Sequence, residues 1–364
     1  MKIDFANLGL AYQEHKENID IAMSNVLNTS SFIMGPIVSE FEDRLSKFVG
    51  VRHSVSCASG TDALLLAMMA IDIQPGDEII TTPFTFIATA ETIAFLKAKP
   101  VFVDIDDKTY NIDSTKIEAA ITEKTKAIMP VSLFGQVSNM LEINNIAKKN
   151  NLIVIEDAAQ SFGASYNNKK SCNLSHIGCT SFFPAKPLGC FGDGGAVFTN
   201  NDEFAEKIKS LRLHGQTKRY HHKYIGMGGR LDALQASILN EKLKHYNNDI
   251  YRRNNVAQYY SERLKSQTII PFVEQDRSSV WAQYSIRVKN RDKLQESLKS
   301  LGIPTAVHYP VPLHLQECFD YLGGKQGDFP VAEKVSQEIM SLPMNPYLTE
   351  EEIEYITTNL IKLL

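Results

Sequence analysis

The stretch NLIVIEDAAQSFGA, residues 151–164, decides the fold of this chain. Its apolar run 152–155 is typical of a strand buried on both faces of a parallel sheet, and it leads straight into Glu156 and Asp157. Buried strands rarely end on two carboxylates without a reason. Because ligands of open α/β sheets bind at the carboxyl ends of strands, this strand end is the first candidate for a functional site.

The surrounding sequence repeats the same rhythm of short apolar runs and helical stretches. We predict buried strands at 53–57, 78–81, 100–103, 127–131 and 152–155, with helices such as 62–71 and 141–149 between them. This alternation predicts an α/β fold with a mostly parallel sheet that helices cover on both faces.

From about residue 245 the rhythm changes, which indicates a second domain. A long polar helix is expected over 247–265, and the alternation in VWAQYSIRV, residues 280–288, suits a half-exposed strand. Thr349 and Glu352 form a capping-box pattern that begins the last helix. We therefore expect a large α/β domain over 13–245 and a smaller α+β domain over 246–364, to which residues 1–12 belong.

The composition argues against several classes of protein. The 364 residues carry a net charge of −4, which gives no electrostatic case for a nucleic acid or a membrane surface as partner. The start MKIDFANLGL lacks the pattern of a signal peptide, and no apolar run reaches the roughly 20 residues of a spanning helix. The five scattered cysteines fit neither a disulfide framework nor a metal site. We expect a cytoplasmic protein with reduced thiols and no bound metal.

A second strand end lies in SCASGTDALLLA, residues 56–67. Free N–H groups at a helix start attract anions, Gly60 permits close approach, and Thr61 adds a hydroxyl donor. Alone, this pattern is more typical of an ordinary helix cap.

Asp157, at the end of the strand 152–155, also has two interpretations. The structural one is a helix cap. The functional alternative is a carboxylate that faces a protonated ring nitrogen, with Gln160 near a phenolic oxygen of the same ring.

A third segment, TSFFPAKPLGCFGDGGAVFTN, residues 180–200, carries an isolated lysine in apolar surroundings. Lysine is normally solvated, and desolvation lowers its pKa and makes the amine of Lys186 a nucleophile able to form a Schiff base. The hydroxyl of Ser181 can reach the same anion as Thr61. The GDGG motif is not interpreted as a dinucleotide loop, because a strand and not a helix follows it.

The fourth segment, TTPFTFIATAETIA, residues 81–94, carries two aromatic rings at a strand end. We interpret Phe84 as a core residue and Phe86 as a ring that stacks on a cofactor. Together the four segments supply a Schiff-base amine, a carboxylate for a ring nitrogen, phosphate donors and a stacking face. One molecule uses all four, and we therefore predict pyridoxal 5'-phosphate as the cofactor.

SGTDAL, EDAAQSFGA and TSFFPAKPLGCFGDGGA, in this order, resemble the DegT/DnrJ-type nucleotide-sugar aminotransferases. The resemblance covers nearly the whole chain. It implies fold type I of the pyridoxal-phosphate enzymes, similar to aspartate aminotransferase, with a seven-stranded sheet, and a homodimer with active sites at the subunit interface. It implies seven site residues: Lys186 for the Schiff base and proton transfer, Asp157 for the ring nitrogen, Gln160 and Phe86 beside the ring, and Gly60, Thr61 and Ser181 for the phosphate.

RYHHKYIGMGGRLDALQASIL, PTAVHYPVPLH and SLPMNPYL resemble more narrowly the aminotransferases that act on UDP-2-acetamido-2-deoxy-ribo-hexuluronate. That likeness implies transfer of an amino group from L-glutamate to C3 of the sugar, giving UDP-2-acetamido-3-amino-2,3-dideoxy-glucuronate for bacterial surface polysaccharides such as the lipopolysaccharide O-antigen. One position departs from the family pattern. Gly228 stands where the family often has an asparagine that reaches the cofactor phosphate of the neighbouring subunit.

The substrate contacts are expected in two loops. HGQTKRYHHKYIGMGGR, residues 214–230, is basic, and arginine binds pyrophosphate and carboxylate in a bidentate manner. We interpret Lys218 and Lys223 as solvated and exclude a metal site, because adjacent histidines lack the spacing of paired ligands. The second loop contains His308, Tyr309 and His314. Packing between the two domains is the alternative interpretation of this loop, and it is favoured for His314. The residues expected to contact substrate are Tyr220, His221, His222, Arg230, His308 and Tyr309.

Three other functions remain open. A sugar dehydratase of the same fold carries histidine at the position of Lys186. A non-catalytic cofactor-binding regulator predicts an added DNA-binding module, for which the chain has no spare segment. An aminotransferase for 4-keto-6-deoxy nucleotide sugars is separated from the 3-keto enzyme only by its substrate.

Overall fold

The computed structural model describes residues 3–364. The helices are α1 (Leu8–Gln13), α2 (Lys16–Thr29), α3 (Pro36–Val49), α4 (Gly60–Ala70), α5 (Ala88–Phe95), α6 (Met140–Lys149), α7 (Asp202–Leu211), α8 (Ala233–Leu264), α9 (Arg291–Ser300), α10 (Pro330–Glu338) and α11 (Glu350–Leu363). The strands are β1 (His53–Cys57), β2 (Glu78–Thr81), β3 (Lys99–Phe102), β4 (Thr125–Ile128), β5 (Ile153–Asp157), β6 (Ser165–Tyr166), β7 (Lys169–Lys170), β8 (Ile177–Ser181), β9 (Gly195–Thr199), β10 (Gln216–Lys218), β11 (His221–His222), β12 (Tyr284–Arg287) and β13 (Ile339–Leu342).

The central sheet has seven strands in the order β1-β9-β8-β5-β4-β2-β3. The pairs from β8 to β3 are parallel, and β9 runs antiparallel to both of its neighbours. The mostly parallel seven-stranded sheet that the sequence predicted is confirmed. The carboxyl ends of β1, β5 and β8 lie at one edge of this sheet, so the segments that follow them meet there.

Helices cover both faces of the sheet, because neighbouring strand residues point to opposite sides. Val197 packs in the core with α4 and α7, whereas Ala196 and Phe198 pack in the core with α3 and α8. In β2, the side chains of Ile79 and Ile80 also point to opposite faces: Ile79 packs in the core with α4, and Ile80 packs in the core with α6. The strands are therefore buried on both sides, which explains their continuous apolar runs.

The C-terminal part builds its own core on the two-stranded sheet of β12 and β13. The prediction of a half-exposed strand in this region is wrong, since all four residues of β12 are buried. The end of α8 and helices α9 and α11 cover the apolar residues of β12, and its polar residues Ser285 and Arg287 are buried with polar partners. Ile3 joins the same core, and the predicted capping box of Thr349 and Glu352 is confirmed.

Helix α8 begins at Ala233 and runs for 32 residues, well before the predicted start at 247. Its first half, including Leu239 and Tyr246, packs with the large core, and its second half, including Val256 and Tyr260, packs with the C-terminal core. The division at 245 stays a prediction, and residue 245 lies inside this helix. Among residues 3–364, no helix combines the length and apolar character needed to cross a membrane.

Candidate active site

The glycine turn after β1 lies directly against the end of β8. A Cβ atom placed on Gly60 would lie 2.7 Å from the Cβ of Ser181, and one placed on Gly195 would lie 2.3 Å from the carbonyl oxygen of Ser59. Only glycine fits such an approach. The turn, Thr61 and Ser181 are therefore brought together, as the sequence predicted.

Helix α4 starts at this turn and directs its first N–H groups toward the sheet edge. The side chain of Ser59 accepts a hydrogen bond of 3.0 Å from the N–H of Asp62, which fixes the helix start. The N–H groups of the first turn have no partner within the helix. Thr61 is the second residue of that turn, and Oγ of Ser181 would lie 3.2 Å from a Cβ on Gly60. Such a group of donors suits a phosphate.

Asp157 ends β5 and is buried at the same edge. Its Oδ2 accepts a hydrogen bond of 2.8 Å from the hydroxyl of Thr89, and its Oδ1 accepts one of 3.2 Å from the N–H of Ala159. Burial raises the pKa of the Asp157 carboxyl, while the hydrogen bonds from Thr89 and Ala159 and the charge of Lys186 lower it. Asp157 is therefore a buried carboxylate whose charged form depends on a few defined partners.

The other carboxylate of the pair, Glu156, faces the opposite side of the strand. It accepts hydrogen bonds of 2.8 Å each from the hydroxyls of Ser132 and Ser171 and from the N–H of Cys172. Burial raises its pKa. These internal partners make Glu156 a structural residue that ties the strand to two loops.

Lys186 lies in the loop between β8 and β9. Burial lowers the pKa of its amine to about 8, and the charge of Asp157 opposes this shift. At pH 8 roughly half of such an amine is unprotonated, compared with roughly 0.3% of a lysine of ordinary pKa. The structure therefore places an amine of lowered pKa within reach of the charge of a buried carboxylate, and its role as a nucleophile stays a prediction.

Side chains of helix α8 hydrogen-bond to the loop between β8 and β9 that contains Lys186, which the sequence did not indicate. The amine of Lys242 donates a hydrogen bond to the carbonyl oxygen of Gly189. The side-chain amide of Gln235 accepts a hydrogen bond of 2.8 Å from the N–H of Phe191 and donates one of 3.2 Å to its carbonyl oxygen. These residues lie far from Lys186 along the chain, so no local motif reveals them.

The loop with His308 and Tyr309 closes one side of the site. Gln160 donates a hydrogen bond of 3.1 Å to the hydroxyl of Tyr309 and accepts one of 2.8 Å from the N–H of Phe134. Burial, together with the smaller effect of the charge of Lys186, lowers the pKa of His308 to about 4, so this histidine is neutral near pH 7. Burial and, after it, the charge of Asp157 raise the pKa of Tyr309. The loop therefore lies next to the Lys186–Asp157 pair.

The two phenylalanines after β2 occupy different environments. Phe84 is 0% exposed and packs in the core, which confirms its interpretation as a core residue. Phe86 is 54% exposed, and its ring lies 6.1 Å from that of Tyr309 at an interplanar angle of 41°. An exposed ring beside the site is available for stacking on a flat ligand.

The basic loop, residues 214–230, contains the hairpin of β10 and β11, and the tip of this hairpin is exposed. Tyr220 is 77% exposed, and His221 and His222 are exposed. Within residues 3–364 no hydrogen bond or ring contact joins these three residues to Lys186 or Asp157. Arg230 lies at the base of the hairpin, where its Nε is buried without a hydrogen-bond partner.

His314 is separate from this site and has a structural role. Its Nε2 lies 3.0 Å from Oε1 of Glu333, and its ring packs edge-on against Phe329 at 4.6 Å. The packing interpretation that the sequence favoured for His314 agrees with these contacts.

The chain matches known proteins over almost its whole length. The model of the DegT/DnrJ/EryC1/StrS aminotransferase family matches residues 13–361. The chain belongs to this family. It is 52% identical over 355 residues, 97% of this chain and 98% of the relative, to the UDP-2-acetamido-2-deoxy-3-oxo-D-glucuronate aminotransferase of Pseudomonas aeruginosa.

Solved structures of DegT/DnrJ/EryC1/StrS aminotransferases have the same fold. The enzyme from Brucella abortus is 40% identical, with a TM-score of 0.97 over 99% of both chains. NtdA from Bacillus subtilis, solved with bound cofactor PMP, is 31% identical, with a TM-score of 0.92 over 100% of this chain and 85% of its own. The predicted fold type I, the aminotransferase class and the pyridoxal-phosphate cofactor are confirmed.

The residues of this aminotransferase fit its cofactor on structural grounds. A glycine turn packed on Ser181 leaves phosphate donors at the start of α4, a buried carboxylate lies at Asp157, and an amine of lowered pKa lies at Lys186. Sequence reasoning missed Thr89, the hydroxyl partner of Asp157. A threonine inside a helix resembles any other buried residue, so no signal in the sequence marked it.

Proposed function

We propose that this aminotransferase transfers the amino group of L-glutamate to C3 of UDP-2-acetamido-2-deoxy-ribo-hexuluronate. The product is UDP-2-acetamido-3-amino-2,3-dideoxy-glucuronate, for a surface polysaccharide such as the lipopolysaccharide O-antigen, and the enzyme acts in the cytoplasm as a homodimer with shared active sites. The observation that carries the proposal is full-length identity of 52% to an aminotransferase named for this keto-uronate, in a chain with a coupled Lys186–Asp157 pair.

When bound, pyridoxal phosphate supplies the carbonyl carbon that takes the amino group and the ring that withdraws electrons from the reacting carbon. Gly60, Thr61 and Ser181 hold its phosphate by N–H and hydroxyl donors at the start of α4. Phe86 covers one face of the ring. Gln160, which is held by Phe134 and Tyr309, lies at the ring edge.

Lys186 would hold the cofactor through its amine, and it would move protons once the amino group of glutamate has displaced that amine. Nζ removes the proton from the α-carbon of glutamate, and in the second half of the cycle it delivers a proton to the sugar carbon that receives the amino group. Both steps need an amine that changes its protonation state near neutral pH. Burial provides this, since it lowers the pKa of Lys186 to about 8.

Asp157 holds a proton on the ring nitrogen opposite its carboxylate. The carboxylate must stay ionised for this, although burial raises its pKa. The hydroxyl of Thr89 at 2.8 Å and the N–H of Ala159 at 3.2 Å favour the ionised form. The hydroxyl of Thr89 therefore helps to keep Asp157 ionised.

The substrate is anionic at its diphosphate and its uronate carboxylate. Arg230 has a buried Nε without a partner, so its guanidinium is available for such a group. His308 and Tyr309 lie beside the Lys186–Asp157 pair and contact the sugar. The exposed hairpin residues Tyr220, His221 and His222 contact the substrate across the dimer.

A substrate panel tests this proposal. The purified enzyme, with L-glutamate, is given the UDP-linked 3-keto-uronate or a 4-keto-6-deoxy nucleotide sugar, and 2-oxoglutarate formation is measured. We expect turnover with the 3-keto-uronate and at most a few per cent of that rate with the other sugar. Preference for the 4-keto sugar contradicts the substrate. Failure of glutamate to change the absorbance of the bound cofactor contradicts the aminotransferase and favours a dehydratase or a regulator.

A further inference from the structure

The base of the basic hairpin is a fixed piece of structure. Leu213 and Gly228 form an antiparallel bridge, in which the N–H of His214 donates to the carbonyl oxygen of Met227 at 3.0 Å. Nδ1 of His222 donates to the carbonyl oxygen of His214 at 2.8 Å. These bonds hold the backbone of His214 beside the segment that leads to Arg230.

The imidazole of His214 lies over Gly228. A Cβ atom placed on Gly228 would be 3.1 Å from Cε1 and 3.2 Å from Nε2 of this ring, and 3.9 Å from Nη2 of Arg230. The ring therefore takes the space that a side chain at residue 228 would use. Gly228 has no side chain to offer, and His214 supplies one from the other strand of the bridge.

Three groups with N–H donors lie close together here: the exposed residues His214 and Gly228, and Arg230 with its buried Nε. Within residues 3–364 neither the ring of His214 nor the N–H of Gly228 makes a hydrogen bond. Four arginines have a buried Nε that lacks a partner, and three of these, Arg212, Arg253 and Arg277, use another nitrogen in a hydrogen bond. Arg230 makes no hydrogen bond or ion pair with any described residue. Such an unpartnered buried nitrogen in a native protein requires an explanation.

The same segment approaches the phosphate turn of its own subunit. The N–H of Ala58 donates to the carbonyl oxygen of Gly229 at 3.1 Å. A carboxylate lies beside this segment, since Oδ2 of Asp62 would lie 3.8 Å from a Cβ on Gly229. Burial and the charge of Asp193 raise the pKa of Asp62, and Arg230 forms no ion pair with it. No described carboxylate therefore neutralises the guanidinium.

We propose that His214, the N–H of Gly228 and Arg230 form one phosphate-binding site, in which the imidazole of His214 supplies the donor that Gly228 cannot. The inference rests on the proposed function, because that function provides two phosphate-bearing ligands, the cofactor and the UDP portion of the substrate. An arginine fork, a ring N–H and a main-chain N–H together match the several oxygens of a phosphate.

Binding measurements test the site without turnover. The dissociation constant of pyridoxal phosphate from the full-length protein is measured by absorbance, and that of UDP is measured on the cofactor-loaded protein by calorimetry. His214→Phe keeps a ring over Gly228 but removes its donors, and His214→Gln keeps a donor. Lys218→Ala is the control, because it removes a charge from the same hairpin at an exposed position.

We expect His214→Phe to weaken one of the two ligands by about tenfold, the usual scale for one hydrogen bond to a charged group, and His214→Gln to bind like wild type. A loss confined to pyridoxal phosphate identifies the cofactor phosphate, and a loss confined to UDP identifies the substrate diphosphate. Equal affinities in His214→Phe and wild type, or an equal loss in Lys218→Ala, overturn the proposal. Because neither readout needs catalysis, a protein that binds both ligands but does not transaminate refutes only the proposed function.

Discussion

Two opposing effects on single side chains set the reactivity of Lys186. Burial lowers the pKa of its amine to about 8, and the charge of Asp157 raises it. Only the unprotonated amine attacks the cofactor, so incorporation of pyridoxal phosphate into the cofactor-free protein should accelerate with pH and level off above about 8. Asp157→Asn removes the charge that raises the pKa, so its midpoint should move to lower pH.

Stopped-flow absorbance against pH measures this midpoint. Lys170→Met is the control, since Lys170 is another partly buried lysine whose pKa burial lowers, and it lies over Phe48 away from the site. A midpoint near the ordinary lysine value of 10.5, or a shift to higher pH in Asp157→Asn, contradicts the coupling of the two residues.

Thr89 provides a second prediction for a single side chain. Thr89→Val keeps the shape but removes the 2.8 Å hydrogen bond to Asp157, so the pKa of Asp157 rises and its charge is held less firmly. We expect kcat/KM to fall by about tenfold, equivalent to about 1.4 kcal/mol. Thr92→Val is matched, because the hydroxyl of Thr92 bonds only to carbonyl oxygens of its own helix. Equal activities of the two variants would remove Thr89 from the site.

Residues that carry their own chemical signal were predictable from the sequence. Lys186 is an isolated lysine in an apolar loop, and Asp157 ends an apolar strand. Thr89, Gln235 and Lys242 support these residues through contacts across the fold. Nothing in their local sequence distinguishes them from ordinary helix residues, so only the structure reveals them.

At the level of elements, the position of the phosphate donors depends on how closely α4 approaches β8. Gly60→Ala places a Cβ 2.7 Å from that of Ser181, which must push the helix start away. We expect the affinity for pyridoxal phosphate to fall by at least about tenfold. Gly9→Ala, where no atom lies within 4 Å of the new Cβ, is the control. Unchanged affinity in Gly60→Ala would show that this contact does not position the phosphate.

The parallel strands were predictable as elements, and the C-terminal strand environment was not. A strand buried on both faces leaves a continuous apolar run such as that of β5. Alternation in VWAQYSIRV indicated exposure, but the polar residues Ser285 and Arg287 of β12 are buried with partners. Ser285 hydrogen-bonds Ser341 at 2.8 Å, and Arg287 binds Asp107 and Glu338 at 2.7 Å each. Polar side chains that find partners in the fold make an alternating pattern ambiguous.

For the whole molecule, the two packing cores are joined by polar contacts as well as by α8. Oδ1 and Oδ2 of Asp104 accept hydrogen bonds of 3.0 Å from the N–H groups of Ala332 and Val331 at the start of α10. Arg287 in β12 reaches the exposed Asp107, which follows β3 of the central sheet. Ala332 of α10 belongs to the apolar cluster against which Tyr309 packs, so α10 also contacts the loop of His308 and Tyr309.

The proposed homodimer with shared active sites predicts complementation between inactive variants. Lys186→Ala and Arg230→Ala should each be inactive, and a mixture refolded at equal amounts should regain up to about a quarter of wild-type activity. Half of the dimers are then mixed, and each mixed dimer contains one intact site if Arg230 acts across the interface. Mixed dimers verified by differential tags that show no activity would place Arg230 in the site of its own subunit.

The assignment of the Schiff base to Lys186 is tested by finding which amine holds the cofactor. Borohydride reduction of the purified enzyme fixes pyridoxal phosphate covalently to that amine, and peptide mass spectrometry locates the modified residue. We expect one modified peptide, carrying the cofactor on Lys186. Modification of any other lysine, or an unmodified protein after saturation with pyridoxal phosphate, would contradict this assignment.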